Sequence, residues 1–219
     1  MTVHFLHVGK TGGSALGEAL APHYGDDTRF GEMVLHDHFT RLADLPSGDA
    51  AFLFVRDPVA RFISGFDSRH RKGRPRNSHP WSAEEVVAFG RFRSAADLAE
   101  ALADGVATAE EAMESIGHVR RRLVHWFGLP EEANLNKRQV FVGRLERYDA
   151  DLVRLGEFLG LDRPLSAPTD PIKAHIAPNK TIRPLSSRGT EAIRRWYCDD
   201  YELLDRLFPG EYGQSSVLD

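Results

Sequence analysis

"FLHVGKTGGSALGEAL", residues 5–20, decides how the chain is read. Residues 5–8 are apolar apart from one histidine. Gly9-Lys10-Thr11-Gly12-Gly13-Ser14 then breaks the run, after which Ala15, Leu16, Ala19 and Leu20 recur on one helical face. A strand, a glycine-rich turn and a helix in that order turn backbone N–H groups toward an anion. The helix N-terminus adds partial positive charge, the glycines permit close approach, and Lys10 supplies a full charge. The local chemistry is that of a phosphate or sulfate site. It is not a Walker A loop, because GxxxxGK[ST] requires a glycine where this sequence has His4.

Outward from this stretch, short apolar runs alternate with helical periodicity. Strands are expected over Val3–Val8, Met33–His36, Ala51–Val55 and Gln139–Val142. Helices follow the first and the third, the latter with Asp57 as N-cap, Pro58 at the first helical position, and Val59, Phe62, Ile63 and Phe66 as its apolar face. This alternation predicts an α/β fold with a parallel sheet. The second half reads as mostly helical. Its apolar stripes are Ile116, Val119, Leu123 and Phe127; Leu152, Leu155 and Leu159; and Ile193, Tyr197, Tyr201, Leu204 and Phe208. Residues 69–82 and 161–188 lack periodicity, and loops of that length are either functional lids or binding loops or else disordered.

With 219 residues, 42% of them hydrophobic, the chain can bury one sizeable core, and a single domain over 1–219 is expected. A formal charge of −4 argues against a sequence-independent nucleic-acid binder. The lone Cys198 excludes an internal disulfide framework and a Cys-rich zinc site. No stretch has the layout of a signal peptide or the length of a membrane span, which points to the cytoplasm. Nothing in the sequence sets the oligomeric state.

A second motif, "AFLFVRDPVARFISGF" (51–66), places Arg56 at the carboxyl end of another strand. Ligands of parallel α/β sheets bind outside those ends, so Arg56 and Lys10 share one rim. On the helix that follows, Arg61 and Ser64 lie three residues apart, on a line away from the apolar stripe.

"FLHVGKTGGSAL" and "FVRDPVARFISGF" together resemble the 5′-phosphosulfate and 3′-phosphate motifs of sulfotransferases that use 3′-phosphoadenosine 5′-phosphosulfate (PAPS), closest to the carbohydrate sulfotransferases of the sulfotransferase-2 type. Residues 141–161 resemble a further stretch of that family more loosely. The resemblance implies a P-loop-like three-layer α/β/α fold with a central parallel sheet. It also implies binding of the cofactor's 5′ end by Lys10, Thr11, Gly12, Gly13, Ser14 and Ala15, with Lys10 at the bridging oxygen, and of its 3′-phosphate by Arg56 and Ser64. Gly143 and Glu146 match the family pattern without an assigned role. "APNKT", Ala177–Thr181, falls where the family has an asparagine-containing loop near the cofactor.

Transfer to a hydroxyl needs a proton acceptor, and histidine suits it because its pKa lies near neutrality. "MVLHDHFTRL" (33–42) offers His36 and His38 just after the second strand. His38, followed by Phe39, fits the family's base better than His36. His-x-His also has the spacing of a metal pair, but no third ligand stands at a recognisable spacing and no metal is assigned. The expected reaction is an in-line displacement that yields adenosine 3′,5′-bisphosphate (PAP), with no metal required. The acceptor is expected to be a saccharide or small molecule. The basic stretch Arg69–Arg76 has two readings, a charge run that is simply solvated, as most are, or a patch that attracts an anionic acceptor. Two other readings stay open on the residues alone, a P-loop kinase or NTPase and a non-catalytic nucleotide-binding module.

Overall fold

Four short strands, β1 (Val3–Phe5), β2 (Met33–Leu35), β3 (Ala50–Val55) and β4 (Val140–Arg144), form one parallel sheet in the order β2-β1-β3-β4. The computed structural model describes residues 1–26, 28–75, 77–129, 138–170 and 184–212. Val3 stands opposite Met33 on one side and Ala50 on the other, and Phe54 stands opposite Gly143. Chain order reverses across β1, since the chain goes outward to β2 and returns past β1 to β3. The gap outside the carboxyl ends of β1 and β3 is therefore the topological switch point, where α/β sheets take their ligands.

The chain divides into two compact units. The first, from residues 1–56 and 123–176, holds the sheet. Period-2 alternation sends Val3, Phe5, Ala50, Phe52, Phe54 and Phe141 to one face, where they pack with Leu16 and Leu20 of helix α1 (Gly13–Leu20) and with Leu152, Leu155 and Leu159 of a later helix (Tyr148–Leu159). Gly143 allows this packing at β4, because a Cβ there would lie 2.5 Å from the Phe54 ring. The place of Gly143 in its sequence motif thus follows from the sheet core, whereas Glu146 is exposed in the turn after β4.

The second unit, from residues 57–122 and 177–219, contains α2 (Pro58–His70), α3 (Ala83–Arg91), α4 (Ala95–Ala103) and α5 (Ala107–Ser115). Asp57 caps α2 by accepting the Ala60 N–H at 2.8 Å, as the sequence predicts, and its other oxygen accepts the Tyr201 hydroxyl at 2.9 Å. Ser82 and Glu85 form a reciprocal capping box on α3, and Ser94 caps α4. Its core joins Phe62, Phe66, Phe89, Leu98, Met113, Ile193 and Tyr197.

Two helical stripes differ from expectation. Ile116, Val119, Leu123 and Phe127 are all buried, but not on one helix. The backbone leaves the helical region at Ile116, the Gly117 amide donates to Glu85 at 3.1 Å, and helix resumes only at α6 (Val124–Phe127), in the first unit. One apolar period serves two cores. The helix Tyr148–Leu159 follows as α7. The final stripe is split at Tyr197 into α8 (Ser187–Trp196) and α9 (Cys198–Leu207), with the Tyr197 hydroxyl donating to the Val119 carbonyl at 2.7 Å. No described helix is long and apolar enough to cross a membrane.

Candidate functional site

The turn after β1 is built by its own hydrogen bonds. β1 ends earlier than its apolar run, because the Leu6 amide still reaches Phe52 but Val8 turns back to the Leu6 carbonyl at 3.0 Å. The buried Thr11 hydroxyl donates to the Val8 carbonyl at 3.0 Å, closing the loop from inside. Lys10 has φ +68° and Gly12 φ +86°, two left-handed residues that curl the backbone, and a backbone so curled can turn its N–H groups toward an anion. Gly13 opens α1, and its N-cap, Gly12, has no side chain with which to cap the first-turn amides. Gly12 is favoured by its left-handed backbone, a Cβ there meeting only the movable end of Leu145 at 2.8 Å, whereas packing demands Gly13, where a Cβ would lie 2.1 Å from the His7 ring.

The Tyr148 ring lies 3.7 Å from where a Gly12 Cβ would stand. Its hydroxyl is buried with no hydrogen-bond partner among the described residues, and burial, with the nearby Asp149 charge, pushes its pKa well above the ordinary phenol value. A loop of left-handed backbone, uncapped amides, an ammonium and an unspent buried hydroxyl is a donor set suited to a phosphosulfate.

The predicted residues of the first unit gather at adjoining strand ends. His36 and His38 follow β2, Lys10 to Ala15 follow β1, and Arg56 follows β3. Neighbouring strands lie about 5 Å apart, so the three ends span about 10 Å. Arg144, ending β4, is buried and committed to Asp151, which accepts its backbone N–H at 2.8 Å.

The two histidines are held differently. His38 Nδ1 is 2.8 Å from the His7 carbonyl, which can only accept, so Nδ1 carries a proton and, in the neutral form of the ring, the lone pair stands on Nε2. The His7 ring lies against it at 4.0 Å. His36 Nε2 is instead 2.8 Å from Nδ1 of the buried His4, whose Nε2 meets Asp49 at 3.1 Å. Burial lowers the His36 pKa, His4 lowers it further, and Asp37 opposes both. Among the described residues no three His, Cys, Asp or Glu side chains form a metal-binding group.

In the second unit, Ser64 is half-buried on α2, and its hydroxyl makes no hydrogen bond among the described residues. Arg61 does not share an open line with it. Arg61 is 2% exposed and donates to the Arg121 carbonyl at 2.5 Å, a core role that the helical wheel did not suggest. The basic stretch 69–76 is also partly structural. Arg69 pairs with the buried Glu85, and Lys72 lies over the Trp81 ring at 4.5 Å. Arg76 and the Ala177–Thr181 stretch lie outside the described residues.

Sequence reasoning missed His4, His7, Asp49 and Tyr148. Two histidines inside an otherwise apolar run were the available signal for the first two, since an imidazole set among apolar residues requires hydrogen-bond partners. A shallow cavity of about 290 Å³ borders β2, lined by Tyr24, Asp26, Glu32, Met33 and Leu35, and it contains none of the site residues.

The model of the family described as "Sulfotransferase family" matches residues 2–207. No curated protein and no solved structure gives a match.

Proposed function

We propose that this chain, which belongs to the sulfotransferase family, transfers a sulfuryl group from PAPS to a hydroxyl of a saccharide acceptor with His38 as the base. The observation that carries the reading is the pair of cationic strand ends at the switch point, the Lys10 loop after β1 and Arg56 after the adjoining β3. The P-loop NTPase alternative loses ground, because the position where Walker A requires glycine is His4, a buried strand residue bonded to Asp49 and His36.

The cofactor, when bound, supplies the activated sulfuryl group and a phosphate leaving group. Thr11 holds the loop closed, while Lys10 and the amides of Gly12, Gly13, Ser14 and Ala15 provide fixed positive potential for the 5′ end. Donors set in place beforehand need no reorganisation as negative charge grows, which is where such sites gain most of their rate. Arg56 and Ser64 are assigned to the 3′-phosphate on the strength of the motif. The Nε2 lone pair of His38 takes the acceptor's proton, and the His7 carbonyl holds the Nδ1 proton of the resulting imidazolium. The family match runs through segments of both units, which supports one sulfotransferase domain. The saccharide reading rests on the likeness of the two motifs to carbohydrate sulfotransferases.

Calorimetry with PAP, adenosine 5′-monophosphate and magnesium-ATP tests the cofactor assignment. Metal-independent binding that needs the 3′-phosphate and collapses in Arg56→Ala is expected. Equal affinity for all three nucleotides would defeat the assignment. His38→Ala should keep PAP affinity and lose about 10²–10⁴-fold in turnover.

A further inference from the structure

His36 ends a hydrogen-bonded chain that begins at Asp49 and has no part in the mechanism above. Asp49 accepts the Thr2 backbone N–H on Oδ1 at 3.1 Å and faces His4 Nε2 with Oδ2 at 3.1 Å. Those two contacts, the His4 one first, lower the Asp49 pKa, so the carboxylate is ionised and can only accept. His4 must therefore carry a proton on Nε2. A neutral His4 then offers a lone pair at Nδ1, and His36 Nε2, 2.8 Å away, must donate to it. By elimination His36 presents its own lone pair on Nδ1. The chain is sheltered, with the His4 side chain 8% and the Asp49 side chain 19% exposed.

We propose that Asp49 and His4 are positioning residues for sulfuryl transfer, acting through His36, which they hold with its Nδ1 lone pair ready to accept a hydrogen bond from the hydroxyl-bearing acceptor. The proposal rests on the sulfotransferase reading. Two residues along, His38 offers the other kind of lone pair, on Nε2. Two acceptor nitrogens suit a nucleophile with two hydrogens to place, water itself or a sugar with neighbouring hydroxyls. His38 takes the proton that is lost, and His36 accepts from the one that is kept.

Asp49→Asn gives a sharp test because Thr2 dictates how the amide must sit. The Thr2 N–H keeps the carbonyl oxygen, so the NH₂ faces His4 and drives its proton from Nε2 to Nδ1. His4 then donates to His36 Nε2, and the His36 proton moves to Nδ1, where the lone pair had been. Proton–nitrogen correlation NMR of the full chain, labelled at histidine nitrogens, reads this directly. The expected result is Nε2–H at His36 in the wild type and Nδ1–H in Asp49→Asn, with PAP affinity unchanged and PAP release from PAPS, with water as acceptor, down about tenfold, the scale of one hydrogen bond. His4→Phe provides an independent arm, giving a mixture of His36 tautomers and a smaller loss. A wild-type His36 protonated on Nδ1, no tautomer change in Asp49→Asn, or a change with undiminished turnover would each overturn the proposal. Failure of the wild type to bind PAP would instead overturn the cofactor reading, and the tautomer measurement distinguishes the two.

Discussion

Lys10 is the residue at which backbone strain and the proposed cofactor contact coincide. It adopts φ +68°, and with Lys72 it is one of two described non-glycine residues in the left-handed region. For an L-residue with a Cβ that region costs about 1–2 kcal/mol. Glycine would remove the cost and the charge together, whereas alanine would remove only the charge. Lys10→Gly is therefore expected to be more stable than Lys10→Ala by about 1 kcal/mol, a difference of about 2–4 °C in melting temperature for a chain of this size. Both variants should bind PAP weakly. Equal melting temperatures would mean that the Lys10 backbone is not strained, and undiminished PAP affinity would remove Lys10 from the site. Lysine, where glycine would fit more easily, was legible as chemistry in the sequence. Its strain was not, because φ is set by the closure of Thr11 onto the Val8 carbonyl.

At the scale of elements, the N-terminus of α1 is joined to the proposed base through packing. A Cβ on Gly13 would stand 2.1 Å from the His7 ring, and that ring lies 4.0 Å from His38, whose Nδ1 is held by the His7 carbonyl. Gly13→Ala must push His7, at an overpacking cost of about 1–3 kcal/mol. Turnover should fall more than PAP affinity does, because the displaced group supports the base. A variant that loses PAP affinity alone would show that Gly13 serves only the loop. The sequence displayed the elements well where one period served one partner, as in β3, α2 and α7. It misled where a period continued across a change of partner, as from Ile116 to Phe127, because hydrophobic spacing does not record which core receives each residue. Asp49 and His4 were opaque for a similar reason. Their 45-residue separation closes only through the pairing of β1 with β3.

At the scale of the whole molecule, two units are stabilised by carboxylates whose ionised forms are held. In the first, the Arg41 guanidinium and backbone hold Asp44 down to about 2. In the second, burial works to raise the Glu85 pKa. The Arg69 guanidinium and the Gly117 and Ser82 amides outweigh it and leave the carboxyl below its ordinary value of 4.5. A depressed acid contributes stability that is fully present above its unfolded pKa and is lost as pH falls through its folded one. The chain should thus hold its stability from neutral pH down to about 5 and lose it progressively below. Glu85 lets this be tested at one residue. Its side chain is 4% exposed, and it joins α2, α3 and the turn after α5 through Arg69, Ser82 and Gly117. Glu85→Gln should cost about 2–3 kcal/mol at pH 7, the worth of a charge-assisted hydrogen bond. The gap between variant and wild type in denaturant unfolding should then close as pH drops below 4.5, because the wild type takes up the proton that the variant does not need. A gap independent of pH would mean that Glu85 acts through shape and not through charge. The ion pair would then lose its place in the account of how the second unit holds together.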